Sequence, residues 1–440
     1  MLMADARGEP MTASDRGSVA RFEAALRDVV SFSGDPIGTI EAALAQDPML
    51  VMGHLLRAHT FLFALQPGFA AKAASSLEAA ETLREVATPR ERLHLAAARA
   101  WAEGDLIGAR RRFAWLLVHH PRDLTAMMFA HQADFFGGAV AELARRPAAV
   151  LAHWEAGLPG RSYVQSMLAF GLEEAGRYRE AEELGRAAVA HEPRDVWGIH
   201  AVGHVLEMEG RDEEGIAWYE AREPDWAPGS FFAVHNAWHL ALYHVDRDDA
   251  AAALVVYDRL IRPSRRSILL NLCDAAALLW RLELGGCDVG DRWDEVAALM
   301  EPHASVRVHV FDDVHLAVAF AAAGRTAALR ELLASLTGLA VGGAGMPALM
   351  ARVIGLPVAA ALAAFSRGDY RTTVAQLLAC RSRADLMTGS AAQRDILEVT
   401  LIEAALRDGQ RGLARGLLER RLERKPHSAR IRRDLARCVG

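Results

Sequence analysis

Glycine, alanine and proline recur along this chain at fixed offsets, and that recurrence limits the fold more than any other feature. Gly104, Ala109 and Pro121 stand at offsets 0, 5 and 17, and Gly176, Ala181 and Pro193 repeat them, as do Gly409, Ala414 and Pro426. Glu-Ala-Gly-Arg at 174–177 returns as Met-Glu-Gly-Arg at 208–211, a spacing of 34. The glycine closes a first helix in the left-handed conformation, which carries no penalty without a Cβ. The alanine lets a second helix pack closely on the first, and the proline ends that second helix. Weaker copies surround Gly34 and Pro48, Gly137, Arg247 and Ala252, Gly324, and Gly368. Between these marks the apolar residues follow helical spacing, and alternating β-branched runs are nearly absent.

A period of 34 is that of the tetratricopeptide repeat, a helix–turn–helix unit. The expected fold is all-α, a tetratricopeptide-like αα-hairpin repeat solenoid forming a right-handed superhelix, with curling around a central pocket as its extension. Each unit buries its apolar face only against its neighbours, so the array is expected to fold cooperatively. Residues 1–20 are polar and read as a disordered tail. The repeats run over 21–337 and carry a His-rich face. A Gly/Pro-rich loop follows at 338–357 and separates off C-terminal repeats at 358–440.

Charge and cysteine content exclude some functions. Lys and Arg number 50 against 56 Asp and Glu, and the signs are interspersed, so nucleic acid is not an expected partner. The basic run Arg415 to Arg432 carries Glu419 and Glu423 and reads as a solvated helix face. The four cysteines show no paired spacing, which fits a reducing compartment and a cytoplasmic location. The longest apolar region, Gly338 to Phe365, is interrupted by Arg352, Pro347 and Pro357 and reads as too broken to span a membrane.

The stretch Val196 to His244 concentrates the chemistry. It holds His200 and His204, then His235 and His239, each pair at the i,i+4 spacing that shares one helix face. In helical repeats of this type the first helix of each unit lines the concave surface with a stripe at i, i+3, i+7 and i+10. That register places Trp197, His200, His204 and Glu207 on the stripe. It adds His131 and Asp134 from one earlier unit, Tyr163, Ser166 and Glu173 from the next, and His94 and Trp101 before them. For the following helix the register leaves His235 and His239 on either the groove or the seam.

Neutral imidazoles at i,i+4 can hold a divalent ion with a carboxylate as third ligand and an open position for water. His200 and His204 are the candidate metal pair, to be completed by Glu207, Asp134, His235 or His239. The metal-free alternatives are His–carboxylate acid/base chemistry and plain ligand binding. The lack of a Glu after the first His removes the built-in base of the H-E-x-x-H metalloproteases. Two later segments add polar groups. Phe311-Asp312-Asp313-Val314-His315 opens a helix whose carboxylates either cap it or serve a site. Ser390 to Asp395 opens another, where Arg394 and Asp395 form either a structural ion pair or an anion clamp.

Several short segments together resemble the tetratricopeptide repeat protein 38 family, over most of the chain from about residue 90. They are Ser162-Tyr163-Val164, Phe170-Gly171-Leu172, Trp197 to His204 with Glu207-Met208, and His235-Asn236 with Trp238 to Leu242. Tyr257-Asp258, Phe311 to His315 and Ala392 to Asp395 complete the set. Ala237 stands where the family pattern has an aromatic residue, and Asp312 where it has Asn. The first departure would open space beside His235 and His239; the second adds charge beside Asp313. The resemblance implies an α-helical solenoid and names no reaction.

The functional expectation is a ligand or partner held on the concave, His-rich face. His200, His204, His235 and His239 form its heart, as catalytic groups if there is a reaction. Trp197 and Trp238 are its walls. Glu207, Asn236, Asp313, His315, Arg394, Asp395, His131, Asp134 and Tyr163 are further binding residues. The bound partner is a small molecule or a peptide in the groove, and a homodimer is a further expectation. The competing class is a small-molecule hydrolase or lyase that uses the imidazoles as metal ligands or as acid and base.

Overall fold

A computed structural model describes residues 1–66, 68–264, 267–307 and 309–439. Among the described residues the fold is all-α apart from one short hairpin, with helices packed in sequential pairs as the repeat predicts. It divides into two compact units. The first comprises Met1–Val202 with Pro224–Phe232, the second Gly203–Glu223 with Ala233–Gly440.

In the first unit, Arg16–Val30 pairs with Pro36–Gln46, Val51–Phe63 with Phe69–Thr82, and Pro89–Ala102 with Leu106–His119. Leu124–Phe136 pairs with Val140–Leu151, and Arg161–Glu174 with Tyr178–His191. The expected glycines close the first helix of the pair, with Gly104 at φ +80 and Gly176 at φ +74. One differs. Gly138, at φ +65, takes the left-handed position rather than Gly137, which caps the helix at φ −89. Two of these second helices start on acidic caps: Asp35 accepts from the Gly38 amide at 2.9 Å and Asp105 from the Gly108 amide at 2.8 Å.

The N-terminus departs from expectation. Residues 1–20 are not a disordered tail: Leu2–Ala4 pairs antiparallel with Pro10–Thr12, and Asp15 caps the helix that starts at Arg16. Specific ionic partners order this polar segment. Arg7 bonds both Asp5 and Glu23, Arg90 reaches Asp5, and the Thr12 amide and hydroxyl both donate to Glu91 at 2.8 Å. Composition signals disorder only when charges lack such fixed partners.

In the second unit, Asp212–Ala221 is followed by Ala233–Asp246 and Ala250–Val256, whose last turn widens into a π-turn over Tyr257–Ile261. Leu269–Leu284, Arg292–Met300, Val310–Ala322 and Thr326–Gly342 continue the series. Where the weak repeat mark at Arg247 lacks a glycine, Asp248 takes the left-handed conformation at φ +61. The stretch 338–357 is not a loop or a break between stacks. Gly345–Met350, a π-turn at Ala351–Gly355 and Leu356–Phe365 form one helix packed on Val310–Ala322 and Thr326–Gly342. The π-turn lies just before Pro357, the residue with no N–H to give; the Leu356 amide reaches back to the Ala351 carbonyl. Continuous, the 21-residue helix is long and apolar enough to cross a bilayer, but 67% of its most apolar window is buried, as in a core helix.

The C-terminal helices Ala391–Arg407, Arg411–Arg424 and Ala429–Ala436 turn back onto the middle of the second unit. Trp280 Nε1 donates to Thr400 Oγ1 at 2.8 Å, and Arg281 Nη2 donates to the Ala392 carbonyl at 2.9 Å. Lys425 Nζ meets Asp246 at 2.6 Å, and Ser428 Oγ donates to the Asp246 carbonyl at 3.1 Å.

Candidate functional site

The helix Val196–Met208 carries His200 in the first unit and His204 in the second, one turn apart on one face. Its core-facing residues are buried, so the imidazoles do not line an open surface. The histidines expected on a concave face are interior groups. His200 lies in an aromatic nest of the first unit, stacked on Phe170 with 5.5 Å between ring centroids and flanked by Trp197 at 4.9 Å and Phe232 at 5.1 Å. Trp197 also stacks on Phe32 at 5.3 Å.

The second unit gathers His204, His235 and His239, each bringing a ring nitrogen within 4.8 Å of the others'. The His204 and His239 centroids are 4.4 Å apart, and those of His235 and His239 are 4.9 Å apart. Two of these rings are held by carboxylates. His239 Nδ1 lies 2.8 Å from Glu207 Oε2, and His235 Nδ1 lies 3.0 Å from Asp274 Oδ2. A carboxylate at Nδ1 fixes the proton there and leaves Nε2 as the ligating or basic nitrogen. Burial, then the neighbouring His204 and His235 and the charges of Arg281 and Lys425, drives the His239 imidazole well below its ordinary pKa. It is neutral near pH 7. Trp238 is buried, stacks on His235 at 5.4 Å, and meets His239 edge-on at 4.8 Å.

Glu207 does more than orient His239. It lines a cavity of about 50 Å³ together with Asp246, Arg281, Asp395, Arg421 and Lys425. On the measure by which one water needs about 10–15 Å³, that volume holds a few waters or a small anionic group. Lys425 bridges Glu207 and Asp246 at 3.8 and 2.6 Å. Arg281 differs from the other cations here. Its terminal nitrogens donate to the backbone carbonyls of Ala277 and Ala392, and no carboxylate lies within ion-pair distance among the described residues. Burial accordingly depresses its pKa. Its guanidinium carbon also stands 5.4 Å from the Trp238 ring centre.

The remaining expected residues divide. Asn236 is buried beside His235, and neither side-chain amide atom has a hydrogen-bond partner among the described residues. Arg394 and Asp395 do not pair with each other. Arg394 donates to the Gly389 carbonyl, while Asp395 is clamped by both terminal nitrogens of Arg421. Burial alone would raise the Asp395 carboxyl, but Arg421 holds it well below the usual range. Asp395 thus reaches the cavity, and Arg394 serves the turn.

Asp313 pairs with Arg307, and burial raises its pKa to about 7. His315 Nδ1 bonds the Phe311 carbonyl at 2.8 Å, and burial lowers its pKa to about 4. The partner of Asp313 lies in the link before its helix, and that of His315 one turn back on the helix itself. In the first unit, Asp134 is held by Arg110 and Arg146, and Tyr163 is buried in an apolar setting that raises its pKa. His131 sits edge-on to Trp197 at 5.9 Å, with a pKa lowered to about 3, first by burial and then by Arg146.

Sequence reasoning missed Asp274, Arg281, Asp246 and Lys425. Asp274 and Arg281 fall on the helix Leu269–Leu284, whose apolar residues surround them. Charged residues inside such an apolar run were the available signal, since buried charge needs a partner or a role.

Fold and site together define an all-α helical-hairpin repeat protein with a buried imidazole–carboxylate cluster. No protein-family model matches the chain. It is similar to the crystal structure of a tetratricopeptide repeat protein from Parabacteroides merdae, at 11% identity and a TM-score of 0.28, over 80% of this chain and 99% of that one. The repeat assignment rests on the helix pairs themselves.

Proposed function

We propose that this helical-repeat protein binds a small, charged molecule in the second unit, with the His239–Glu207 pair as its acid/base element. The carrying observation is that Glu207 faces two ways. One oxygen accepts from His239 at 2.8 Å, and the carboxylate also lines the cavity shared with Arg281 and Lys425. An anionic group entering that cavity gives Arg281 the counter-charge that its carbonyl partners do not supply. Glu207 joins that cavity to a neutral imidazole, a pairing that suits proton exchange through the carboxylate. The reading favours the small-molecule class over a peptide held in a concave groove, because burial keeps a peptide from these rings. The resemblance to the tetratricopeptide repeat protein 38 family supports the same architecture and leaves the chemistry to the residues.

The test is a thermal-shift screen of the full chain against small carboxylates, phosphates and amino acids, repeated on Arg281→Met. The expected result is a compound that raises Tm of the parent and loses that effect in the variant. A peptide that binds parent, Arg281→Met and Glu207→Gln equally well, with no small molecule doing so, would overturn the reading in favour of a scaffold.

A further inference from the structure

The buried imidazoles of the second unit can do more than move protons. We infer that His204, His235 and His239 form a binding site for a borderline transition-metal ion of the Zn²⁺ type. The inference rests on the small-molecule reading above; with the ion bound, His239 would be its ligand rather than a free base, and Glu207 would brace that ligand.

Three observations carry it. The three rings converge, with a ring nitrogen of each within 4.8 Å of the others. Three nitrogens at ordinary Zn–N lengths of about 2.0–2.1 Å around a tetrahedral ion lie roughly 3.4 Å apart, so small side-chain rotations close the set. Two of the three rings are braced in the manner of metal-bound histidines, His239 by Glu207 and His235 by Asp274. Finally, the three come from two helices, Val196–Met208 and Ala233–Asp246, with Asp274 on a third, Leu269–Leu284. A site built on helices is held more rigidly than one on loops.

The donor set selects the metal. Imidazole nitrogens without a directly ligating carboxylate suit Zn²⁺, Co²⁺, Ni²⁺ or Cu²⁺, and do not suit Mg²⁺ or Ca²⁺, which take oxygen ligands. Three protein ligands leave a fourth tetrahedral position, where a water or a ligand donor can bind. Glu207 braces His239 and also lines the cavity, so a molecule held by Arg281 would lie one carboxylate away from a ligand of the ion.

The test uses untagged full-length protein stripped with a chelator and titrated with Co²⁺ alone. The expected outcome is one equivalent bound, with the intense visible bands of tetrahedral Co²⁺. His239→Ala should abolish the bands. Glu207→Gln keeps the side chain's shape and loses only the carboxylate brace, so it should weaken Co²⁺ binding by about 10- to 100-fold. Circular dichroism of each variant separates lost ligation from lost fold, and the milder Glu207→Gln remains informative if His239→Ala does not fold.

A folded parent that binds no Co²⁺, or a His239→Ala variant that binds it with unchanged spectrum and affinity, overturns the metal site. The thermal-shift screen on chelator-stripped protein keeps the two claims apart. A small molecule that still raises Tm in an Arg281-dependent way without metal leaves the small-molecule reading standing and removes the ion.

Discussion

Asp212 opens the helix Asp212–Ala221 with its Oδ1 buried and without a hydrogen-bond partner among the described residues. A helix N-terminus favours negative charge, but here burial wins, reinforced by Asp246 and opposed by Lys425, and the pKa rises to about 7. A raised acid pKa means that the folded state holds its proton over a pH range where the unfolded chain, near 3.8, has lost it. The folded state then binds more protons, so this group's contribution to stability is full below about 3.8 and declines as pH rises toward 7. Asn cannot ionise. Thermal melts of parent and Asp212→Asn between pH 5 and 8 should show the variant gaining on the parent as pH rises. A difference in Tm that stays flat across that range would refute the assignment.

At the scale of elements, close helix approach is set by single glycines. A Cβ on Gly203 would stand 2.2 Å from the Tyr219 hydroxyl and 2.6 Å from its ring, and Tyr219 is itself fully buried. Gly203→Ala should therefore cost about 1–3 kcal/mol through overpacking, read as a lower denaturant midpoint. Gly416 lies in the helix Arg411–Arg424 with nothing within 4 Å of an added Cβ. Gly416→Ala should instead stabilise by about 0.4–1 kcal/mol. Equal effects of the two changes would show that the 196–208 and 212–221 helices are not packed as described.

The same scale shows what a sequence can and cannot carry. Gly104, Gly176 and Gly409 announce helix ends because their local conformation is a property of the residue itself. His235 and His239 announce a shared face because helix geometry is local. Nothing local announces that Glu207 will brace His239, or that Asp274 will brace His235 from 39 residues away. Composition misled at both ends of the argument. The polar start at Met1 to Arg21 is ordered by distant carboxylates and arginines. The Gly/Pro-rich stretch at 338–357 is helical because a π-turn accommodates Pro357. Burial of the histidines was also hidden, since a stripe on a repeat helix looks the same whether solvent or another helix covers it.

At the scale of the molecule, the second unit is closed by its own last helices. Those helices supply Lys425 to Asp246 and Glu207, Arg421 to Asp395, and the Thr400 acceptor to Trp280. A chain ended after Arg407 should leave the buried carboxylates of Asp246 and Glu207 without their cation. Removing one partner of a buried ion pair costs on the order of 3–5 kcal/mol. Hydrogen exchange should accordingly quicken in Ala233–Asp246 and Leu269–Leu284. Unchanged protection in those two helices would show that the C-terminal helices merely rest on the unit.

The bond from Lys425 to Asp246 spans 179 residues of sequence. On a ribosome adding roughly 5–20 residues per second, Asp246 emerges about 10–35 seconds before the lysine that neutralises it. Throughout that interval Asp246 and Glu207 stand without the ammonium that later bridges them. Newborn chains are thus the stage most exposed to chaperones, proteases and stray cations, and the last helices act as a latch that ends that exposure.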